Sequence, residues 1–394
     1  MTIMNEITPL RADMMRWRHD IHQHPEPASQ LQRTVSKVAE LLRRFHFDEV
    51  IENYGQQQAV IGILRKNEEQ RPAIALVAAL EGQPLQEENS TIKYSSVNPK
   101  CMHALGHDGE VAMLLGAAQY LTQERNFKNN VVFIFCPGES DGLGIQSMIE
   151  GGLLDRFGIQ EIYNLQNYPA LPAGQVAISV GPHLAALGEL LVHLSAHSQC
   201  NIFSRSSCNP ILAASAIIHS LDSLIATSID SSNPLLVSMN SLMAGDNFTH
   251  IPETAELKAI VRSISPDSEK WLPAHLDYLI GKLTEAYHVQ ATISYRVVCP
   301  VAINQERPVK FVREIAKKLL GEAALQEYQP KLMISKDVAY FMRERPGAVI
   351  GIGNGKTAAL YDPQYDFNDD VLMIGASLIV RLAEAFTVRK SHGK

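Results

Sequence analysis

The sequence predicts an α/β protein: a mixed, mostly parallel sheet with helices on both faces, interrupted by a smaller ferredoxin-like (βαββαβ) domain. Three observations predict it. Short apolar runs rich in β-branched residues alternate with helical patterns over residues 1–185, as buried parallel strands and their crossover helices do. Residues 186–299 switch to the order β-α-β-β-α-β, the split-βαβ arrangement. The first style resumes over 300–394. Residues 1–185 and 300–394 therefore form one discontinuous domain, and 186–299 an inserted lid.

The elements follow in order. ITPLRADMMRWRHDIHQHP reads as an amphipathic helix stopped by Pro25, and SQLQRTVSKVAELLRRFHF as a second with Ser29 as its cap. AVIGILRK and AIALVAAL are buried strands. EVAMLLGAAQYLTQ is a helix apolar almost all round, hence packed on a sheet. NVVFIFCP is a strand, GIQSMIEGGLL a helix, and EIYNLQNYP and GQVAISVG are strands. The insertion reads as strand LGELLVHLSA, helix NPILAASAIIHSLDSLIA, strands PLLVSMNSLMAG and ETAELKAIVRSIS, helix SEKWLPAHLDYLIGKLTEAYH and strand QATISYRVVCP. Helix VKFVREIAKKLLGEA, strand AVIGIG and helix DDVLMIGASLIVRLAEAFTV close the chain.

Composition narrows the function classes. The 394 residues are 46% hydrophobic and 20% charged, with a net charge of −7 and no Lys/Arg run. This argues against nucleic acid or an anionic membrane as partner. No stretch reaches about 18 uninterrupted apolar residues, and the amino terminus lacks the apolar core of a secretion signal. The five cysteines are scattered without a CxxC, which points to reduced thiols and a cytoplasmic setting.

The chemistry gathers around MHALGHDGEVAMLLGAA, where a His–Asp pair opens a helix. This segment is similar to the MHACGHDGHxAMLLGAA motif of the zinc-dependent amidohydrolases and peptidases that include hippurate hydrolase, indole-acetyl-amino-acid hydrolases and N-acyl-amino-acid deacylases. RWRHDIHQHPEPASQLQRT, VVFIFCPGESDGLGIQSMIEGGLL, FTHIPETAELKAIVRS, LMISKDVAYFM and LYDPQYDFNDDVL resemble further family motifs in the same order, over nearly the whole chain. The resemblance implies a zinc-aminopeptidase-like domain with a ferredoxin-like lid that mediates dimerisation. It also implies two divalent metals (Zn, Mn, Co or Ni) held by one Cys, three His and one Glu, with a second Glu as general base.

Carried over by motif, the ligand positions fall on Leu105, His107, Ser140, Gln166 and Tyr361. Four of the five are poor donors for a dinuclear site, which needs thiolate, imidazole or carboxylate. Glu139 keeps the position of the general base, now vestigial. Without a metal it faces water of pKa about 15.7, where a bound metal brings it to about 7. The positions facing the substrate carry Glu110, Cys200, Thr249 and Lys336 where the family has His, His, Asn and Glu; Asp108 and Arg262 are kept. Arg262 would bind a carboxylate. Asp108 is expected to cap the helix. Lys336 either enters the cleft to pair with Glu139 or Asp108, or is a solvated surface lysine. Cys200, near His197, is expected to be inert.

The expectation is a pseudoenzyme without metals that binds a small carboxylate, an acyl-amino acid or a protein. It has no nucleic-acid or membrane partner, and a homodimer forms through the lid. The alternative is an active amidohydrolase with a rebuilt, mononuclear site drawn from Glu81, His107, Asp108, Glu110, Glu139 and Asp141. A third reading is metal-free chemistry by Glu139 with Cys200 or Lys336.

Overall fold

The computed structural model describes residues 3–56, 58–66, 72–138, 143–169, 171–196, 208–228, 234–246, 251–328 and 330–387. The chain divides into two compact units: Met1–Gly181 with Ile303–Pro330 and Lys336–Lys394, and Pro182–Ala302 with Lys331–Ser335.

In chain order the elements begin with α1 (Ile3–Ile7), α2 (Arg11–Gln23), α3 (Gln32–Arg44), β1 (Glu49–Glu52), β2 (Val60–Leu64), β3 (Ala73–Ala79), α4 (His107–Glu124) and β4 (Asn130–Cys136). There follow α5 (Leu143–Glu150), α6 (Leu153–Arg156), β5 (Ile159–Pro169), β6 (Val176–Ala177) and β7 (Gly181–Leu184). Next come β8 (Ala186–Ala196), α7 (Pro210–Ser228), β9 (Leu235–Ala244), β10 (Thr254–Ser263), α8 (Ser268–Ala286) and β11 (Val289–Cys299). The chain closes with β12 (Ala302–Asn304), α9 (Glu306–Leu320), β13 (Leu325–Gln326), α10 (Val338–Glu344), β14 (Gly347–Gly355) and α11 (Leu372–Ala385).

The larger unit carries an eight-stranded sheet in the order β1-β2-β4-β3-β5-β14-β6-β13. Its centre is parallel: β4, β3, β5 and β14 run the same way. Antiparallel β1 and β2 close one side. Every residue of β2, β3 and β4 is buried, as strands covered on both faces must be. The smaller unit is a four-stranded antiparallel sheet, β11-β8-β10-β9, on which α7 and α8 pack. Residues of β8 alternate between buried and exposed, so one face meets the helices and the other stays open. No helix among the described residues is long and apolar enough to cross a membrane.

Helix α4 is the central pin of the larger unit. Fourteen of its residues are buried, because the sheet takes one side and α2 and α11 the other. Close helix contact is bought with glycine: a Cβ on Gly116 would meet the Met14 sulfur at 2.2 Å, and one on Gly375 the Met113 sulfur at 1.9 Å. Gly106, just before α4, has φ of +79°, a left-handed backbone that a side chain resists. Gly109, in the first turn, lies flat on the Phe367 ring.

Several local expectations need correction. Leu31, not Ser29, stands at the N-cap of α3, and the Glu26 carboxylate accepts from the first-turn amides of Arg33 and Thr34. The single helix expected over 144–154 is two, broken where Gly152 takes φ of +77°. Asp108 does not cap α4; it sits inside the first turn with its carboxylate committed to partners on α2. The cysteines are not all free: Cys101, Cys136 and Cys299 are buried thiols, whereas Cys208 is disulfide-bonded.

The contact at Gly109 gives a test. A Cβ there would come within 2.3 Å of Phe367, and overpacking of this kind costs about 1–3 kcal/mol. Gly109→Ala is expected to lower the urea midpoint accordingly. An unchanged or raised midpoint refutes the packing argument.

Candidate active site

The segments beyond the carboxyl ends of β3 and β4 and the stretch before α10 meet beside the first turn of α4, at the strand ends where open α/β sheets bind ligands. They are stitched together by buried polar contacts. Glu81, two residues beyond β3, accepts from the Gly138 amide through Oε2 at 2.8 Å. Its backbone carbonyl accepts from His107 Nδ1 at 2.9 Å. The amide of Asp337, just before α10, donates to the Gly138 carbonyl at 2.7 Å.

The first turn of α4 presents charged groups on two faces. Asp108 looks toward α2, where Arg18 and His22, four residues apart, share a helical face. Arg18 is fully buried. Its Nη1 donates to Asp108 Oδ2 at 2.9 Å and to Asp366 Oδ1 at 3.0 Å, Nε donates to Asp369, and Nη2 to the Tyr94 hydroxyl. His22 lies between Asp108 Oδ2 (2.9 Å) and Glu87 Oε1 (3.1 Å). Burial alone would drive the His22 proton off; the Asp108 charge and both hydrogen bonds outweigh it and push its pKa up to about 9. Burial would likewise protonate Asp108, but His22 and Arg18 hold it well below the usual carboxylate range. Beside this network His103 is fully buried, and neither ring nitrogen has a hydrogen-bond partner among the described residues. Burial keeps it neutral, with a pKa of about 4.

His107 and Glu110, three apart, share the second face of that turn. A carbonyl only accepts, so the contact to Glu81 fixes the His107 proton on Nδ1 and leaves a lone pair on Nε2. Nε2 is buried without a hydrogen-bond partner among the described residues. Burial, then the Lys336 ammonium, depress the His107 pKa far below the ordinary imidazole value. Lys336 Nζ donates to both Oε1 and Oε2 of Glu110 at 2.7 Å. Both side chains are at most 2% exposed. Burial raises Glu110 to about 7, against the pull of Lys336 toward the charged form. The surface reading of Lys336 is thus overturned; it is buried with Glu110 as a partner, while Glu139 lies outside the described residues.

The remaining positions are placed as follows. Leu105 and Gln166 are fully buried; the Gln166 amide donates to the Asn167 carbonyl at 3.1 Å, and its Oε1 has no partner among the described residues. Tyr361 is 40% exposed and takes φ of +64°, a strained conformation for a bulky side chain. Its amide donates to the Ala104 carbonyl at 3.0 Å. Arg262 lies on β10 of the smaller unit, opposite Leu187 and Leu236, with its Nε buried and unpartnered among the described residues. Glu139, Ser140, Asp141, His197, Cys200 and Thr249 lie outside the described residues.

Sequence reasoning missed Arg18, His22, His103, Glu87, Tyr94, Asp366 and Asp369. Only the four-residue spacing of Arg18 and His22 was there to be read.

The raised pKa of His22 carries a pH signature. The folded state holds a proton that the unfolded chain, near 6.5, releases. This contribution is complete below pH 6.5 and is lost as pH rises through about 9, on the order of 3 kcal/mol in all. The urea midpoint of His22→Asn is expected to vary less than that of wild type between those pH values. Parallel profiles would refute the assignment.

Comparison with known proteins places this geometry. Residues 76–385 match the family model described as peptidase family M20/M25/M40. The hippurate hydrolase of Campylobacter jejuni is 30% identical over 383 residues, covering 97% of this chain and 99% of that protein. The N-acetylcysteine deacetylase of Bacillus subtilis is 27% identical, covering 94% and 96%. In fold, the chain resembles the YXEP protein of Bacillus subtilis, described as a dinuclear metal binding peptidase, with a TM-score of 0.81 at 24% identity over 96% of this chain and 98% of that one. A putative aminohydrolase from methicillin-resistant Staphylococcus aureus gives 0.83 at 22% identity, with the same coverage. The chain belongs to peptidase family M20/M25/M40.

Proposed function

We propose that this chain is an M20 amidohydrolase scaffold without the dinuclear centre, acting as a binding protein for a small carboxylate of the acyl-amino-acid kind. The donor set carries the reading. Among the described ligand positions, Leu105 offers no lone pair, Gln166 is a neutral amide, Tyr361 a neutral phenol, and His107 Nε2 alone is a free imidazole nitrogen. Two divalent charges need anionic donors to balance them. The residues present do not fit two metals. Of the donors for a rebuilt mononuclear site, Asp108 is turned to Arg18 and His22 and Glu110 to Lys336, while Glu139 and Asp141 lie outside the described residues. Among the described residues no three His, Cys, Asp or Glu side chains group to hold a metal.

Hippurate and N-acetylcysteine, for which two relatives are named, both carry a carboxylate. Arg262 is the residue suited to take it, through a bidentate ion pair. Within this proposal the protein works in the cytoplasm; the buried thiols of Cys101, Cys136 and Cys299 fit that setting, and the Cys208 disulfide does not.

The test is direct. Protein purified without chelators is expected to hold far less than one Zn, Mn, Co or Ni per chain by elemental analysis and not to hydrolyse hippurate. Calorimetry should still detect hippurate binding, weakened at least about tenfold in Arg262→Ala, the loss of about 1.4 kcal/mol. Stoichiometric metal with turnover would sink the reading.

The lid is further proposed to pair with a second copy. β9 is an edge strand exposing Leu236, Leu242 and Met243, and α7 exposes Ile211 and Leu212; an apolar edge is a template for another strand. Light scattering should find a dimer, and Leu242→Lys with Met243→Lys a monomer. Wild type eluting as a monomer ends this part.

A further inference from the structure

We infer that Lys336 is the specificity-determining residue that keeps divalent cations out of this centre, acting as a tethered monovalent cation in their place. The inference rests on the reading above, that the centre works without metals. It adds which residue enforces that state.

His107 and Glu110 stand on one face of α4, one imidazole and one carboxylate, the beginning of a cation site. Both Glu110 oxygens are taken by the Lys336 ammonium at 2.7 Å. After burial, that ammonium is the largest influence lowering the His107 pKa. An ammonium is a compact point charge with three donors and no lone pair while protonated. It neutralises the carboxylate that a metal would need, and it repels any cation approaching the free Nε2 of His107. Both side chains are cut off from water, so neither effect is screened. Leu105 and Gln166 remove donors; only Lys336 adds opposing charge.

Converting that charge should reopen the site. Lys336→Glu removes the ammonium and sets a second carboxylate against Glu110, a repulsion that a divalent ion relieves. Lys336→Met removes the charge alone. Lys310→Glu makes the same charge change at an exposed position of α9 and controls for loose surface binding. Mn2+ or Zn2+ alone is titrated into each full-length protein by calorimetry, and melting is followed with and without the ion.

The expected result is no saturable binding to wild type or Lys310→Glu. Lys336→Glu should bind about one ion per chain, at least about 100-fold tighter than wild type, and melt higher with the ion present. Lys336→Met should show a smaller gain in the same direction. If either Lys336 variant fails to fold alone, refolding from urea with and without Mn2+ reads the same property: recovery only with the ion supports the inference, and recovery in neither overturns it. Folded Lys336 variants that bind no better than wild type also overturn it while leaving the metal-free function intact. Tight binding to wild type overturns both.

Discussion

A carboxylate cut off from water must be protonated or matched by a cation, and the first turn of α4 carries two such groups. Asp108 and Glu110 are each at most 2% exposed, and an unpaired buried charge costs several kcal/mol. The arrangement around that turn answers this constraint twice. On one face Arg18 and His22 meet Asp108; on the other Lys336 meets Glu110. Each match reaches across the fold, so the charges fix positions as well as balancing one another. The first brings together α2, the start of α4 and the segment 366–369. The second ties α4 to the residue two positions before α10.

The two faces differ in chemistry. The Asp108 network contains more carboxylates than cations, with Asp108, Asp366, Asp369 and Glu87 around Arg18 and His22. That surplus is why His22 keeps its proton despite burial. On the Glu110 face the Lys336 ammonium meets Glu110, the Glu81 carboxylate lies 3.6 Å from His107, and His107 is a neutral imidazole beside a positive charge. The scaffold is that of the family.

Much of this was legible in the sequence. The succession of strands and helices along each unit, the all-round apolar character of α4 and the βαββαβ insertion follow from periodicities of two and 3.6, which are properties of neighbouring residues. The reading of Leu105, Gln166 and Tyr361 as the positions where the family holds its metals needed only residue identity and motif. The errors were also local in kind. Asp108 stood where an N-cap would be useful and was read as one, while Gly106 with its left-handed backbone took that place and freed the carboxylate for Arg18.

What the sequence by itself determined is therefore the fold class and the family. Tertiary structure alone decided how the remaining charges are paired. Lys336 and Glu110 are 226 residues apart, and Arg18 and Asp369 351 apart. Lys336 had the same prospects as a solvated lysine until the loop before α10 was seen to enter the core. Ion pairing depends on distance through space and on exclusion of water, and neither is a function of position along the chain.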